Sequence, residues 1–328
     1  MLRARMATSF GLEEIWTERL ACPACKGKLR AEPRGSAERL VCEGCDSAYP
    51  IRDEIPSFVD LKKTDQAAEI ALRDDEATAY EGLFLAWEGF LEVTPLVRDL
   101  APRRSDWVLE VGAGTGRVVR EYIRNVSGVM AIDFSIESLR HIRRSLRLLP
   151  DAQQKLVPVH ADACALPIRD GAFDRVLSVG MLQHLPTETH RARAVGGMAR
   201  AIRPGGRFVL QARHWSKAHA FYETRHDSKW ARSVAQALIG NASGSIELKR
   251  TAHYADGTVL LYNTTGDELR SMAQEAGISV ERVVGRIHAL KGMQRLGAAR
   301  PLIEKVLERS PLSLLAAQEV IAVGTRMG

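Results

Sequence analysis

The sequence predicts an α/β protein: a doubly wound, mostly parallel sheet behind a small cysteine-rich unit. Three observations predict it. The apolar strand Val108–Val111 runs into a glycine loop, Gly112-Ala113-Gly114-Thr115-Gly116. Strand and helix patterns alternate five times between residues 105 and 215, which argues a parallel sheet with helical crossovers. Two C-x-x-C pairs, Cys22/Cys25 and Cys42/Cys45, sit together near the start.

With 328 residues, 45% of them hydrophobic, the chain can bury a full core and hold more than one domain. No apolar run has the length of a membrane span. Basic residues open the sequence, but Glu13, Glu14 and Glu18 interrupt any apolar signal region, so a cytoplasmic location is expected. There thiols stay reduced, and paired cysteines read as metal ligands before disulfides. The net charge of +6 raises the question of nucleic acid. Its excess lies on helix-like surfaces (Arg140, Arg143, Arg144, Arg147) and in the C-terminal part, without a dense basic run, and reads as solvated helix faces.

Residues 1–60 are expected to form the first unit. Each C-x-x-C suits a tight knuckle presenting two thiolates to one tetrahedral zinc ion, with Gly27 and Gly44 supplying permissive backbone. Leu29 and Leu40-Val41 supply short ribbon strands. The stretch LACPACKGKL from Leu20, with YPIRDEIP from Tyr49, resembles the small zinc-ribbon proteins that activate tRNA and release-factor methyltransferases. The resemblance implies a structural zinc on Cys22, Cys25, Cys42 and Cys45. It also implies docking on a catalytic partner by strand pairing and apolar cover; here the partner is fused to the ribbon. A bacterial rRNA guanine methyltransferase family carries a ribbon that helps to bind RNA.

Residues 61–100 have helical periodicity, with Thr64 or Asp65 as a candidate cap and Pro102 as a stop. They form a linker and cofactor lid on this reading. Tyr80 either packs over a cofactor, as a tyrosine does in many methyltransferases, or half-buries on a surface helix.

Residues 101–328 hold the sheet. After the glycine loop, a helix is expected over Arg117–Arg124, then a strand, Gly128–Ile132, ending in Asp133. An acid at that strand end can accept both ribose hydroxyls of a nucleoside. The loop spacing is G-x-G-x-G rather than the G-x-G-x-x-G of dinucleotide folds, and Glu110 precedes it. A carboxylate there repels phosphates and suits an amino-acid ammonium. Ser135 caps the next helix, with Leu139 and Ile142 facing inward. Further strands are Val157–His160, Phe173–Gly180 and Arg207–Gln211.

Taken in order, VLEVGAGTG, AIDFS, HADACALP, FDRVLSVGMLQHL and IRPGGRFVL resemble the class I S-adenosylmethionine-dependent methyltransferases. The resemblance implies a Rossmann-like seven-stranded sheet whose last strand, Glu319–Gly324, inserts antiparallel. It implies that S-adenosylmethionine is the cofactor. Gly112, Ala113, Gly114 and Gly116 lie by its methionine part, and Glu110 reaches the ammonium directly or through water. Asp133 holds the ribose, Phe134 flanks the adenine, Asp162 and the Ala163 N–H meet the adenine edge, and Val179 and Gly180 close the site. For Asp162 the alternative is a loop cap.

The fourth strand end lacks the Asn-Pro-Pro-Tyr type motif and any Pro-Cys, and Cys164 reads as a packing residue. Transfer to an O, N or activated C atom remains. His184, His214 and Tyr222 are the candidate bases, with a structural loop histidine as the alternative for His184. Alignment of the methyl group alone is a further source of rate. Insertions are expected at 216–265, including a hairpin of Ser245–Arg250 and Thr258–Tyr262, and at 286–315. The first insertion's aromatic content suits a small or medium organic acceptor. RNA is the second reading, and a non-catalytic cofactor-binding partner protein the third. No DNA or membrane partner is expected, and the oligomeric state is left open.

Overall fold

A computed structural model describes residues 12–34, 37–60, 67–77, 86–214, 247–251, 258–286, 317 and 319–328. The near-continuous apolar runs become the central strands: β5 (Trp107–Val111), β6 (Gly128–Asp133), β7 (Leu156–His160) and β8 (Phe173–Val179). All residues of β6 and β7 are buried, as in strands covered on both faces. With β9 (Ile202–Arg213), β12 (Ile278–Arg286) and β13 (Glu319–Arg326) they form a seven-stranded sheet of order β12-β13-β9-β8-β5-β6-β7. β5 to β9 pair in parallel, and β13 is antiparallel to both β9 and β12. The chain leaves β5 first toward β7 and then returns to β8 on the other side. The carboxyl ends of β5 and β8 therefore flank a crevice where α/β sheets bind ligands.

Local chemistry sets the helices. α5 (Ile136–Ser145) starts where Ser135 Oγ accepts from the Ser138 N–H, and it buries Leu139 and Ile142 as expected. α7 (Glu188–Ala201) is capped by Thr187. α8 (Gly266–Glu275) begins with a reciprocal capping box between Thr265 and Glu268. The expected hairpin exists as β10 (Glu247–Thr251) against β11 (Thr258–Tyr262). Residues 215–246, 252–257 and 287–316, which hold most of the two insertions, lie outside the described residues.

Two expectations are corrected. The helix expected over Arg117–Arg124 is a single α-turn, α4 (Val119–Tyr122), tightened into a 3₁₀ turn at Ile123–Asn125. Asn125, Val126 and Ser127 are poor helix formers, and the chain must drop at once into β6. The link from β7 to β8 also carries no α-helix, only a 3₁₀ turn at Ala163–Ala165. Pro167 and Gly171 (φ +68°) break a helix there.

The N-terminal unit covers what that missing helix would cover. Helix α1 (residues 12–19) leads to Leu20, which bridges antiparallel to Ile168. The Ala21 N–H donates to Pro167 O at 3.0 Å, the Arg169 N–H to Arg19 O at 2.9 Å, and Lys26 Nζ to Leu166 O at 2.8 Å. Arg19 stacks over the Trp107 ring, 4.0 Å from its centroid. Trp16, Leu20, Leu29 and Leu40 join one core with Leu109, Val111 and Met130 of the sheet. Full burial of side chains such as Trp16 and Leu20 is worth roughly 2–3 kcal/mol each.

The ribbon itself is a four-stranded antiparallel sheet, β1 (Leu29–Arg34), β2 (Ala37–Cys42), β3 (Ala48–Arg52) and β4 (Ile55–Pro56). Beyond β4, Ser57 bridges His160 in parallel and the Phe58 N–H donates to His160 O at 2.8 Å. The ribbon thus continues the large sheet beyond its edge strand β7 and satisfies part of that open edge. Asp53 and Glu54, both at positive φ (54° and 60°), make the two-residue turn between β3 and β4. Arg140 Nη2 meets Asp53 at 2.7 Å and Arg143 meets Glu54, so α5 holds this turn. Arg140 and Arg143, two of the three basic residues noted on that helix, are therefore occupied within the chain.

Candidate functional site

The glycine loop owes its path to backbone bonds. The Gly112 and Ala113 N–H groups both donate to Ile132 O, at 2.9 and 3.0 Å, which folds the end of β5 over the end of β6. Gly112 has φ +75°, and a Cβ there would lie 2.6 Å from Met181 Cβ, so no larger residue fits. Gly114 (φ +53°) meets nothing within 4 Å on its Cβ side, which places open space against the loop.

Asp133 is the electrostatic centre. It is buried, yet its Oδ2 accepts from the Gly114 N–H at 2.7 Å and its Oδ1 from the Ser135 N–H at 2.9 Å. Burial raises its pKa, while the two N–H donors and the Arg73 guanidinium pull it down. Each oxygen keeps lone-pair capacity for a ligand hydroxyl. Asp162 stands on the facing wall with one oxygen accepting from the Cys164 N–H at 2.8 Å. It is thus a loop cap and a wall residue together.

These residues border one open cleft at the carboxyl ends of the strands. Of the residues anticipated from sequence, Gly112, Gly114, Asp133, Phe134, Asp162, Ala163, Val179, Gly180 and His184 line it. Four do not. Ala113 is buried in the core beside α4. Gly116 packs on α5, where a Cβ would meet Ile142 Cγ1 at 2.7 Å. Glu110 points beneath the loop, because strand alternation sends Leu109 and Val111 to the opposite face. There it accepts from Tyr122 Oη at 2.7 Å, and burial pushes its carboxyl up to about 8. His214 directly follows β9, with Nδ1–H donating to Thr264 O at 2.9 Å and tying the chain after β11 to the sheet. Tyr80 and Tyr222 lie outside the described residues.

Within the segment expected to be a lid, the sequence reading did not name Arg73. Helix α2 (Ala67–Glu76) brings Arg73, and just beyond it Ala77, into the cleft lining. Asp74 Oδ1 accepts from Ser135 Oγ at 2.6 Å and from the Glu137 N–H at 3.2 Å, fastening α2 over the start of α5. Arg73 Nη2 lies 3.0 Å from His184 Nδ1, and Glu69 Oε1 lies 3.3 Å from the same nitrogen. Nδ1 thus sits between a donor, the Arg73 guanidinium, and an acceptor, the Glu69 carboxylate. Burial lowers the pKa of His184, with Arg73 acting in the same sense and Glu69 against. The imidazole is thus held between these two charged side chains at the cleft wall.

A second cluster lies in the ribbon. The Sγ atoms of Cys22, Cys25, Cys42 and Cys45 are all within 4.8 Å of one another, with Cys22–Cys45 at 3.7 Å and Cys25–Cys42 at 3.4 Å. Tetrahedral zinc at about 2.3 Å per sulfur requires S···S edges of about 3.8 Å. The Gly27 and Gly44 N–H groups point at Cys25 Sγ and Cys42 Sγ, at 3.4 and 3.3 Å, stabilising thiolate. The donor set fits one such ion.

Residues 108–206 match the family model described as a methyltransferase domain, and residues 17–54 match the Trm112p-like proteins. The chain carries an S-adenosylmethionine-dependent methyltransferase domain behind a Trm112-like cysteine unit. An uncharacterized 37.1 kDa protein in transposon TN4556 of Streptomyces fradiae is 27% identical over 90% of this chain and 81% of its own length. The 27-O-demethylrifamycin SV methyltransferase of Amycolatopsis mediterranei is 31% identical over 42% of this chain and 47% of its own. The probable tRNA methyltransferase 9B of Homo sapiens is 32% identical over 26% of this chain and 19% of its own. The chain thus spans about half of one named relative and a fifth of the other. Its fold is shared with the complex of the Haloferax volcanii Trm112 activator and its methyltransferase, at TM-score 0.53 and 14% identity, over 78% of this chain and 98% of that one.

Proposed function

We propose that the cleft holds S-adenosylmethionine and that the enzyme methylates an O, N or activated C atom of a small or medium organic molecule. The observation that carries the cofactor reading is the Asp133 carboxylate, held by the Gly114 and Ser135 N–H groups with open space before it. That carboxylate suits a ribose diol. The glycine loop and Arg73 border the methionine side, and Phe134, Asp162 and the Ala163 N–H the adenine side. When bound, the cofactor supplies a methyl group on a sulfonium. The chain's own contribution is to align it with the acceptor, to keep water out beneath α2, and to place the His184 imidazole at the cleft wall.

An organic acceptor is supported by the walls formed by Val179, Met181 and Leu185, by the engagement of Arg140 and Arg143 with the ribbon, and by the rifamycin-methylating relative. RNA is the second reading, favoured by the Trm112-like unit and by the tRNA methyltransferase relative. On either reading Cys22, Cys25, Cys42 and Cys45 hold one structural zinc, and residues 1–60, 61–100 and 101–328 act as ribbon, lid and catalytic body. No described helix is long and apolar enough to cross a membrane.

The test offers radiolabelled S-adenosylmethionine to the purified chain with a panel of phenols, hydroxy acids, amines and macrolactams beside bulk tRNA and rRNA. Label in an organic acceptor supports the reading. Label only in RNA, with binding that falls steeply with salt, supports the second.

A further inference from the structure

A buried hydrogen-bond chain runs from the ribbon to the cofactor cleft. Ser57 Oγ lies 2.7 Å from His160 Nδ1, and His160 Nε2 lies 3.0 Å from Phe134 O. A carbonyl only accepts, so Nε2 carries the hydrogen, Nδ1 is the acceptor, and the Ser57 hydroxyl donates to it. Ser57 and His160 are 5% and 6% exposed, which leaves little water to replace either bond. Burial also lowers the pKa of His160, in keeping with a neutral ring.

The position of this chain gives it consequence. Phe134 follows Asp133 directly, and both line the cleft. Ala161, Asp162 and Ala163, on the facing wall, follow His160 directly, and the Ala161 N–H donates to Asp133 O at 3.0 Å. His160 therefore stands at the root of both walls of the adenosine half. The ribbon grips it twice, through the Ser57 side chain and through the Phe58 N–H on its carbonyl.

We propose that Ser57 and His160 are positioning residues: the ribbon sets the place of the Phe134 carbonyl, and with it the adenosine-binding walls, through the Ser57 hydroxyl and the His160 ring. The proposal rests on the cofactor reading above. It makes the ribbon part of cofactor affinity in the same chain, beyond a fold-stabilising cap. Removing the hydroxyl leaves Nδ1 buried without a donor. The ring is then free to turn or to exchange its hydrogen between nitrogens, and either change releases Phe134 O.

The test uses the full zinc-loaded chain and S-adenosylhomocysteine as the calorimetric probe, with Ser57→Ala and Ser57→Thr beside wild type. A roughly three- to tenfold weaker Kd is expected for Ser57→Ala, with Ser57→Thr within about twofold of wild type because its hydroxyl persists. A merely structural serine changes the melting temperature without changing Kd of the folded protein. Folded Ser57→Ala that binds as wild type overturns the proposal. Should Ser57→Ala fail to fold, Ser57→Cys, a weaker donor of similar size, takes its place with the same two readings. Wild-type protein that binds no S-adenosylhomocysteine removes the cofactor reading itself, an outcome distinct from equal binding by wild type and variant.

Discussion

The Gly114 N–H donates to Asp133 Oδ2 at 2.7 Å, joining the loop after β5 to the end of β6. One bond thus sets both the shape of the glycine loop and the orientation of the acid in the cleft. Asp133→Ala removes the acceptor for the loop and for a ribose diol together. Loss of buried charge-assisted bonds of this kind costs roughly 2–4 kcal/mol, so S-adenosylhomocysteine affinity is expected to fall at least about thirtyfold. Calorimetry checks this, with circular dichroism confirming the fold.

Glu110 gives a pH signature. Its carboxyl is raised to about 8 in the folded chain, whereas an unfolded glutamate titrates near about 4.3. The folded state therefore binds this proton more tightly. Stability is fullest below the unfolded value and declines as pH rises through about 8. Glu110→Gln keeps an acceptor for Tyr122 Oη and removes the burial of charge. It is expected to flatten this decline and to gain on the order of 2–4 kcal/mol above pH 8. Urea midpoints of both proteins from pH 5 to 9 measure it.

His184 and His214 separate by function. His184 lines the cleft, whereas His214 bonds Thr264 O away from it. His214→Ala is expected to cost about 1–2 kcal/mol of stability and to leave S-adenosylhomocysteine affinity within about twofold. Melting curves and calorimetry on one variant decide it. A large loss of affinity at unchanged stability would place His214 in the site after all.

Much of the site was legible because its chemistry is local. The glycine loop, Asp133 and the cysteine pairs declare themselves by residue type at fixed spacing. The side that Glu110 takes was hidden because β5 is covered on both faces, so apolar neighbours do not reveal which side a polar residue takes. Arg73 escaped because α2 reads as an ordinary amphipathic helix, and which of its residues face the cleft depends on Asp74 meeting Ser135 across a gap of 61 positions. The helix-free link from β7 to β8 was equally hidden. Its cover comes from α1 and Leu20, some 150 residues earlier in the chain.

The cysteine cluster is expected to carry one zinc per chain by elemental analysis. Stripping it with a chelator should lower the melting temperature, since the four thiolates close the ribbon core at Cys22 and Cys42. Cys42→Ser is expected to bind less than half the metal and to melt lower. Metal-free protein that melts as the holo form would remove the structural role.

The methyl donor is the central point, and calorimetric titration of the intact, zinc-loaded chain with S-adenosylhomocysteine tests it most directly. The expected result is a single site per chain, lost or weakened at least about thirtyfold in Asp133→Ala. No heat of binding from folded wild-type protein, or equal binding by Asp133→Ala, would contradict it.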